Sequence, residues 1–287
     1  MMRRLGEVSE LLLFTASCYS MTTLLAYMML VHGVPSQQAL IIVMYAPMFA
    51  VLVTDLMMRR RIHLQSYMRP LLIGPLHRAL MVPIIMPWTA WMVGLMLAHS
   101  LGVGVRGPLV RLMHGPSEAL SLAWFMFYAL VNSLLTTVFT IGEEVAWRGY
   151  VYVKLEQILA SCRSRAMKTM FHAMIVGAIW SLWHAPLIHY YKLNYPTTGL
   201  MGLLVQTPLM IVMSTLLKAI REDMGFMSCA LLHATYNALS PYMYLSTPMP
   251  DIYSLNVGGP AIASWTIVTM AYYIGRDVRA RAWHMRL

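Results

Sequence analysis

Three short stretches of this chain carry ionisable or strongly polar groups inside otherwise apolar sequence. They are Ile141-Gly142-Glu143-Glu144-Val145-Ala146-Trp147-Arg148-Gly149, then Trp180-Ser181-Leu182-Trp183-His184-Ala185-Pro186, then His233-Ala234-Thr235-Tyr236-Asn237. On a helix Glu144 and Arg148 share a face, with the carboxylate N-terminal to the guanidinium, the favourable order for an ion pair. Glu143 then points about 100° away with no local partner. A carboxylate held out of water gains basicity, which suits it to general-base work near neutral pH. The same spacing also fits two solvated glutamates just beyond a membrane. His233 and Asn237 share a helix face too, and an imidazole N–H beside a carboxamide NH₂ can stabilise an oxyanion; a helix-to-helix hydrogen bond is the plainer use of such a pair. His184 alone fits a packed core residue. Pro186 frees the carbonyl of Leu182 one turn back and can kink the helix there.

Taken together, a carboxylate base, one histidine and a histidine–asparagine pair make an inventory for hydrolysing an amide with a directly activated water. Competing inventories are missing. No GxSxG or SxxK marks a serine nucleophile and no HExxH offers a zinc site. Ser214 lies four residues before Lys218, at a helix end where the lysine is expected to snorkel to water. A metal site built from Glu143, His184 and His233 is chemically conceivable, but it needs one ligand from each of three helices. Cys18, Cys162 and Cys229 are far apart and without CxxC spacing, so they support neither a disulfide framework nor zinc.

The elements that must hold these groups follow from composition. The 287 residues are 59% hydrophobic and 11% charged, against about 45–50% apolar and about 25% charged in a soluble domain. That excludes a solvated globular protein, and high hydrophobicity excludes a disordered one. The net charge of +10 is scattered between apolar stretches rather than gathered on one face, so no nucleic-acid partner is expected. Spanning about 30 Å of hydrocarbon takes about 20 mostly apolar residues. Eight stretches qualify: 9–31, 38–57, 79–103, 119–142, 169–191, 199–217, 226–245 and 257–275. The expectation is an all-α, polytopic membrane bundle of about eight transmembrane helices. It forms a single multi-span domain over 1–287, with the motif-bearing core at about 119–245 and the lipid bilayer as its surroundings. Because Met1-Met2-Arg3-Arg4 is followed by Glu7, Glu10 and a long apolar run without a clear cleavage site, the first helix is read as retained rather than as a signal peptide.

Under the eight-helix arrangement eighteen of the 21 basic residues fall on one side, and Arg106, Arg111 and Lys192 on the other. Lys and Arg accumulate in cytoplasmic loops, so an integral multi-pass protein with both termini cytoplasmic is expected, its site opening toward the cytoplasm. One geometric demand remains. At about 1.5 Å per residue His184 lies about 20 Å along the fifth helix, whereas Glu143 falls at the end of the fourth segment as drawn. The two can share a water if the fourth helix continues past Arg148 through the apolar stretch 145–153, which otherwise forms an exposed patch.

The motifs resemble the CAAX protease and bacteriocin-processing (CPBP) family of glutamate-dependent intramembrane endopeptidases, which includes the type II CAAX prenyl endopeptidases. Its pattern is E-E-x-x-x-R, F-x-x-x-H and H-x-x-x-N on successive spanning helices. Here it reads Glu143-Glu144-x-x-x-Arg148, Trp180-x-x-x-His184 and His233-x-x-x-Asn237, with tryptophan at the phenylalanine position. The resemblance implies that Glu143 is the general base and that His184 helps to hold the attacking water. His233 and Asn237 would stabilise the oxyanion, and the Glu144–Arg148 ion pair would hold the cavity. It implies no metal, no cofactor and no covalent acyl-enzyme. The substrate would be a protein or peptide, lipidated or not, cut near its C-terminus in the family's best-known reaction on prenylated proteins. Alternatives are a non-catalytic membrane scaffold or bacteriocin-immunity protein of the same fold, and a metal-dependent membrane hydrolase.

Overall fold

The computed structural model describes residues 2–105, 118–247 and 251–284, and all regular structure among them is helical. The helices are α1 (Met2–Val31), α2 (Ser36–Val43), α3 (Ala46–Arg59), α4 (Leu64–Met68), α5 (Leu76–Ser100), α6 (Glu118–Glu144), α7 (Tyr152–Ile158), α8 (Arg165–Trp183), α9 (Ala185–Tyr191), α10 (Leu203–Met224), α11 (Phe226–Leu245) and α12 (Gly259–His284). Six stretches are long and apolar enough to cross a membrane: Gly6–Val31, Ser36–Arg59, Leu76–Ser100, Ala123–Ile158, Arg165–Tyr191 and Gly199–Met224. The expected seventh and eighth spans exist as helices of 20 and 26 residues, but they carry too many polar groups to qualify by composition. In α11 those groups include His233, Thr235 and Asn237. The second expected span is two helices, α2 and α3, joined at Met44-Tyr45 just before Pro47. Arg106 and Arg111, two of the three basic residues expected on the sparse side, lie outside the described residues.

The fourth expected span ends much later than 142. Apart from Gly142, α6 contains no glycine or proline, and it runs directly into a π-helix, Val145–Val151, and then into α7. Every residue of the π-helix is buried. Gly149 makes room there for Tyr67, because a Cβ on it would lie 2.9 Å from the Tyr67 Cβ. Phe14 of α1 covers the same stretch, its ring centroid 5.9 Å from Trp147 and 5.1 Å from Tyr150. One turn further on, fully buried Lys154 bonds to Glu7 and Glu10 of α1. Arg59 of α3 closes on Glu10 at 2.9 Å. Charges deep in a protein must be paired, and this cluster clamps α1, α3 and α7 together.

α8 packs along α10 and α6 along α11. The α8–α10 approach depends on Gly177, where a Cβ would lie 2.6 Å from the Ile211 Cα. One turn away the Ser181 and Thr207 hydroxyls bond at 2.8 Å. Thr140 of α6 donates to the Ala230 carbonyl of α11 at 3.0 Å. The turn from α10 to α11 is the single residue Gly225, with φ +94°. It is braced by segment 70–73: Phe226 and Met227 amides donate to the Pro70 and Leu71 carbonyls, and the Ile73 amide to Met224. Lys218 does not reach water as expected. It is buried and held by Glu222 and Glu156, so its ammonium is committed to carboxylates and Ser214 has no lysine to activate it.

Candidate active site

Glu143 and Trp180 sit at matching depth. Each lies 15 residues from the helix end nearest the loop joining α7 to α8, Ile158 for one and Arg165 for the other. That places both about 20 Å into the bundle. The continuation of the fourth helix to Ile158 is what brings Glu143 to the level of the second motif. His233 reaches the same level only about 10 Å from the start of α11, because the braced Gly225 turn is itself held inside the bundle.

Trp180 is the centre of the site. Its indole N–H donates to Glu143 Oε2 at 2.8 Å. Its ring meets the His233 ring edge-on, centroids 5.1 Å apart, and the Arg148 guanidinium carbon stands 4.1 Å from its centroid. Its backbone carbonyl pairs with His184 Nδ1 at 2.8 Å. A carbonyl only accepts, so Nδ1 carries the proton and the neutral His184 ring presents Nε2 as an acceptor. This contact is possible because α8 stops at Trp183 and α9 starts at Ala185, with Pro186 inside its first turn. His184 therefore lies at a break in the helix.

Glu144, fully buried, takes two donors on one oxygen: Arg148 Nη1 at 2.9 Å and His233 Nδ1 at 2.8 Å. Its Oε2 and Arg148 Nη2 are both without hydrogen bonds. Since Nδ1 of His233 is spent on a carboxylate, only Nε2 is free to face a substrate. An N–H at that position makes the ring cationic, with Glu144 as its counter-ion. Glu143 is not partnerless as its spacing implied. Besides Trp180, Trp147 donates to the same Oε2 at 3.4 Å.

Residues 119–239 match the family model Type II CAAX prenyl endopeptidase Rce1-like. Neither the curated proteins nor the solved structures returned a match. The Rce1-like stretch spans α6 to α11 and contains all three motifs, and at the level of the family it points to a CAAX-type intramembrane endopeptidase. Among the described residues no group of three or more His, Cys, Asp or Glu side chains is arranged to hold a metal ion.

Within the Rce1-like stretch, Glu143, Glu144, Arg148, His184 and His233 are brought around one tryptophan. Asn237 lies one turn beyond His233 on the same face of α11, half-buried, with no hydrogen bond among the described residues. The less buried members, His184 and Asn237, lie on the side away from the basic loops. On the basic side buried Arg221 ties segment 67–70 to the π-helix, donating to the carbonyls of Tyr67, Arg69, Pro70 and Arg148. Sequence reasoning missed the two indole donors. Trp147 was within its reach, because the i, i+4 rule that pairs Glu144 with Arg148 also pairs Glu143 with Trp147.

Proposed function

We propose that this chain is an intramembrane endopeptidase that cleaves a peptide bond with a water activated by Glu143. Glu143 takes one proton from the water as its oxygen bonds to the scissile carbonyl carbon. Nε2 of His184 accepts the water's second hydrogen and orients it. The oxyanion forms against Nε2–H of His233 and the Asn237 carboxamide, with Glu144 as counter-ion to the imidazolium and Arg148 holding Glu144 in place. When the C–N bond breaks, Glu143 returns the proton to the leaving amine and is regenerated as a carboxylate. The reading needs no metal, cofactor or covalent intermediate. The substrate class is a protein or peptide C-terminus, prenylated in the family's characteristic reaction, and the distribution of basic residues supports cytoplasmic chain termini.

The observation that carries the reading is Glu143 itself. It is a carboxylate only 3% exposed, bonded to indole donors rather than to a cation, with the rings of His184 and His233 packed on the same tryptophan. Ionisable groups retained at membrane depth are functional by default. The test is cleavage of a panel of prenylated and unprenylated C-terminal peptides by purified protein in lipid, with Glu143→Ala and His184→Ala as controls. Cleavage lost in both variants is expected. Cleavage undiminished in both removes the mechanism, and no cleavage by the wild type leaves a scaffold of the same fold.

A further inference from the structure

Glu143 is buried, and among the described residues it forms no ion pair with Lys, Arg or His. A buried carboxylate without compensation neutralises itself by taking up a proton, and a protonated glutamate is no base. The His233 ring and the Glu144 carboxylate face it with opposite effects, and the groups bonded to it are two indole N–H donors, Trp180 at 2.8 Å and Trp147 at 3.4 Å. Indole is a donor only, so both bonds favour the ionised carboxylate and neither can be replaced by a bond that favours the acid. Both fall on Oε2, whereas Oε1 carries no hydrogen bond among the described residues. The carboxylate is thus anchored by one oxygen and open at the other.

The Trp180 indole is itself locked. Arg148 stacks on its face, His233 meets its ring, and the residue is only 2% exposed. Phenylalanine at this position would keep those ring contacts and lose the one polar contact to Glu143. Resting on the hydrolytic reading above, we propose that Trp180 is a positioning residue: its indole N–H keeps Glu143 ionised and turned so that Oε1 alone meets the water. Trp147, longer in its bond and one turn away on the same helix, does the same more weakly.

The test uses Trp180→Phe and Trp147→Phe in the full chain in lipid, with the peptide cleaved fastest in the panel above. Trp180→Phe lowers kcat about 10- to 100-fold, the worth of one hydrogen bond to a charged group, while KM stays within about twofold. The loss is larger in acid than in mildly alkaline buffer, because alkali restores the ionised base. Trp147→Phe shows a smaller loss of the same pattern. A second measurement does not depend on activity or on the Phe variants folding. The indole ¹⁵N–¹H resonance of Trp180 in the wild type moves upfield in Glu143→Gln, as a bond to a carboxylate becomes one to a neutral amide oxygen. An unmoved resonance overturns the proposal, as does a Trp180→Phe enzyme with wild-type kcat at every pH while Glu143→Gln is inactive. Full hydrolysis by Glu143→Gln overturns the function and the positioning role together.

Discussion

Replacing Arg148 by methionine tests whether the buried charge system around Glu144 holds the site together. Methionine keeps much of the apolar stem and removes the guanidinium that lies 2.9 Å from Glu144 and over the Trp180 ring. With Arg148 only 3% exposed and Glu144 fully buried, water cannot take the lost partner's place. Glu144 is left with His233 Nδ1 alone. Breaking a buried pair by removing one member costs about 3–5 kcal/mol, mostly the stranded charge. At roughly 2 °C per kcal/mol for a chain of this size, Tm falls by about 6–10 °C. The assay is unfolding in mixed micelles followed by tryptophan fluorescence, on the single variants and on Glu144→Gln/Arg148→Met. Because the double variant removes the carboxylate that Arg148→Met strands, it should be more stable than Arg148→Met alone. A loss below about 1 kcal/mol in Arg148→Met, or a double variant additive within about 0.5 kcal/mol, refutes the reasoning.

Glu143→Gln should lower kcat about 10²- to 10⁴-fold with Tm close to wild type, since the amide oxygen still accepts the indole bonds; single-turnover cleavage and a thermal melt decide it. Gly177→Ala places a Cβ 2.6 Å from the Ile211 Cα, forcing α8 from α10 at about 1–3 kcal/mol, read as a lower Tm. Outside the spans, burial pushes the Asp251 carboxyl up, but the Thr198 and Thr197 hydroxyls and amides outweigh it and hold the group below its ordinary range. Its folded-state value is depressed, so its contribution to stability is full above the ordinary carboxylate range and is lost as the pH falls through the depressed value. The Tm difference between wild type and Asp251→Asn should therefore be present at neutral pH and shrink in acid.

Much of the site can be traced to local rules. The i, i+4 spacing brings Glu144 and Arg148 together, and the apolar stretch 145–153 announces a helix that continues past Arg148, which the structure carries to Ile158. What resists reading is long-range. Trp180 is 37 residues from Glu143, and no periodicity tells which way an indole N–H will point across two helices. His233 carries no sign that its Nδ1 will be taken by Glu144, which decides the nitrogen left for chemistry. Lys218 reads as a snorkelling residue until Glu156 and Glu222, from two different helices, enclose it. The last two long helices illustrate a third limit: the polar side chains that make α11 interesting also remove it from a count based on hydropathy.

The π-helix at Val145–Val151 carries a consequence for spacing. A π turn holds one residue more than an α turn, so this stretch is a length of chain as well as a set of side chains. Upstream of it Glu143 faces Trp180; downstream Lys154 faces Glu7 and Glu10. Were the same residues wound as an α-helix, without losing one, one contact set would rotate against the other by about 100°. Both sets are buried and neither can turn freely, so one of them would have to break. The stretch thus works as a ruler: a change that rewinds it as an α-helix of the same length would uncouple the base from the clamp on α1, whereas loss of its one extra residue together with that rewinding would keep the two in register.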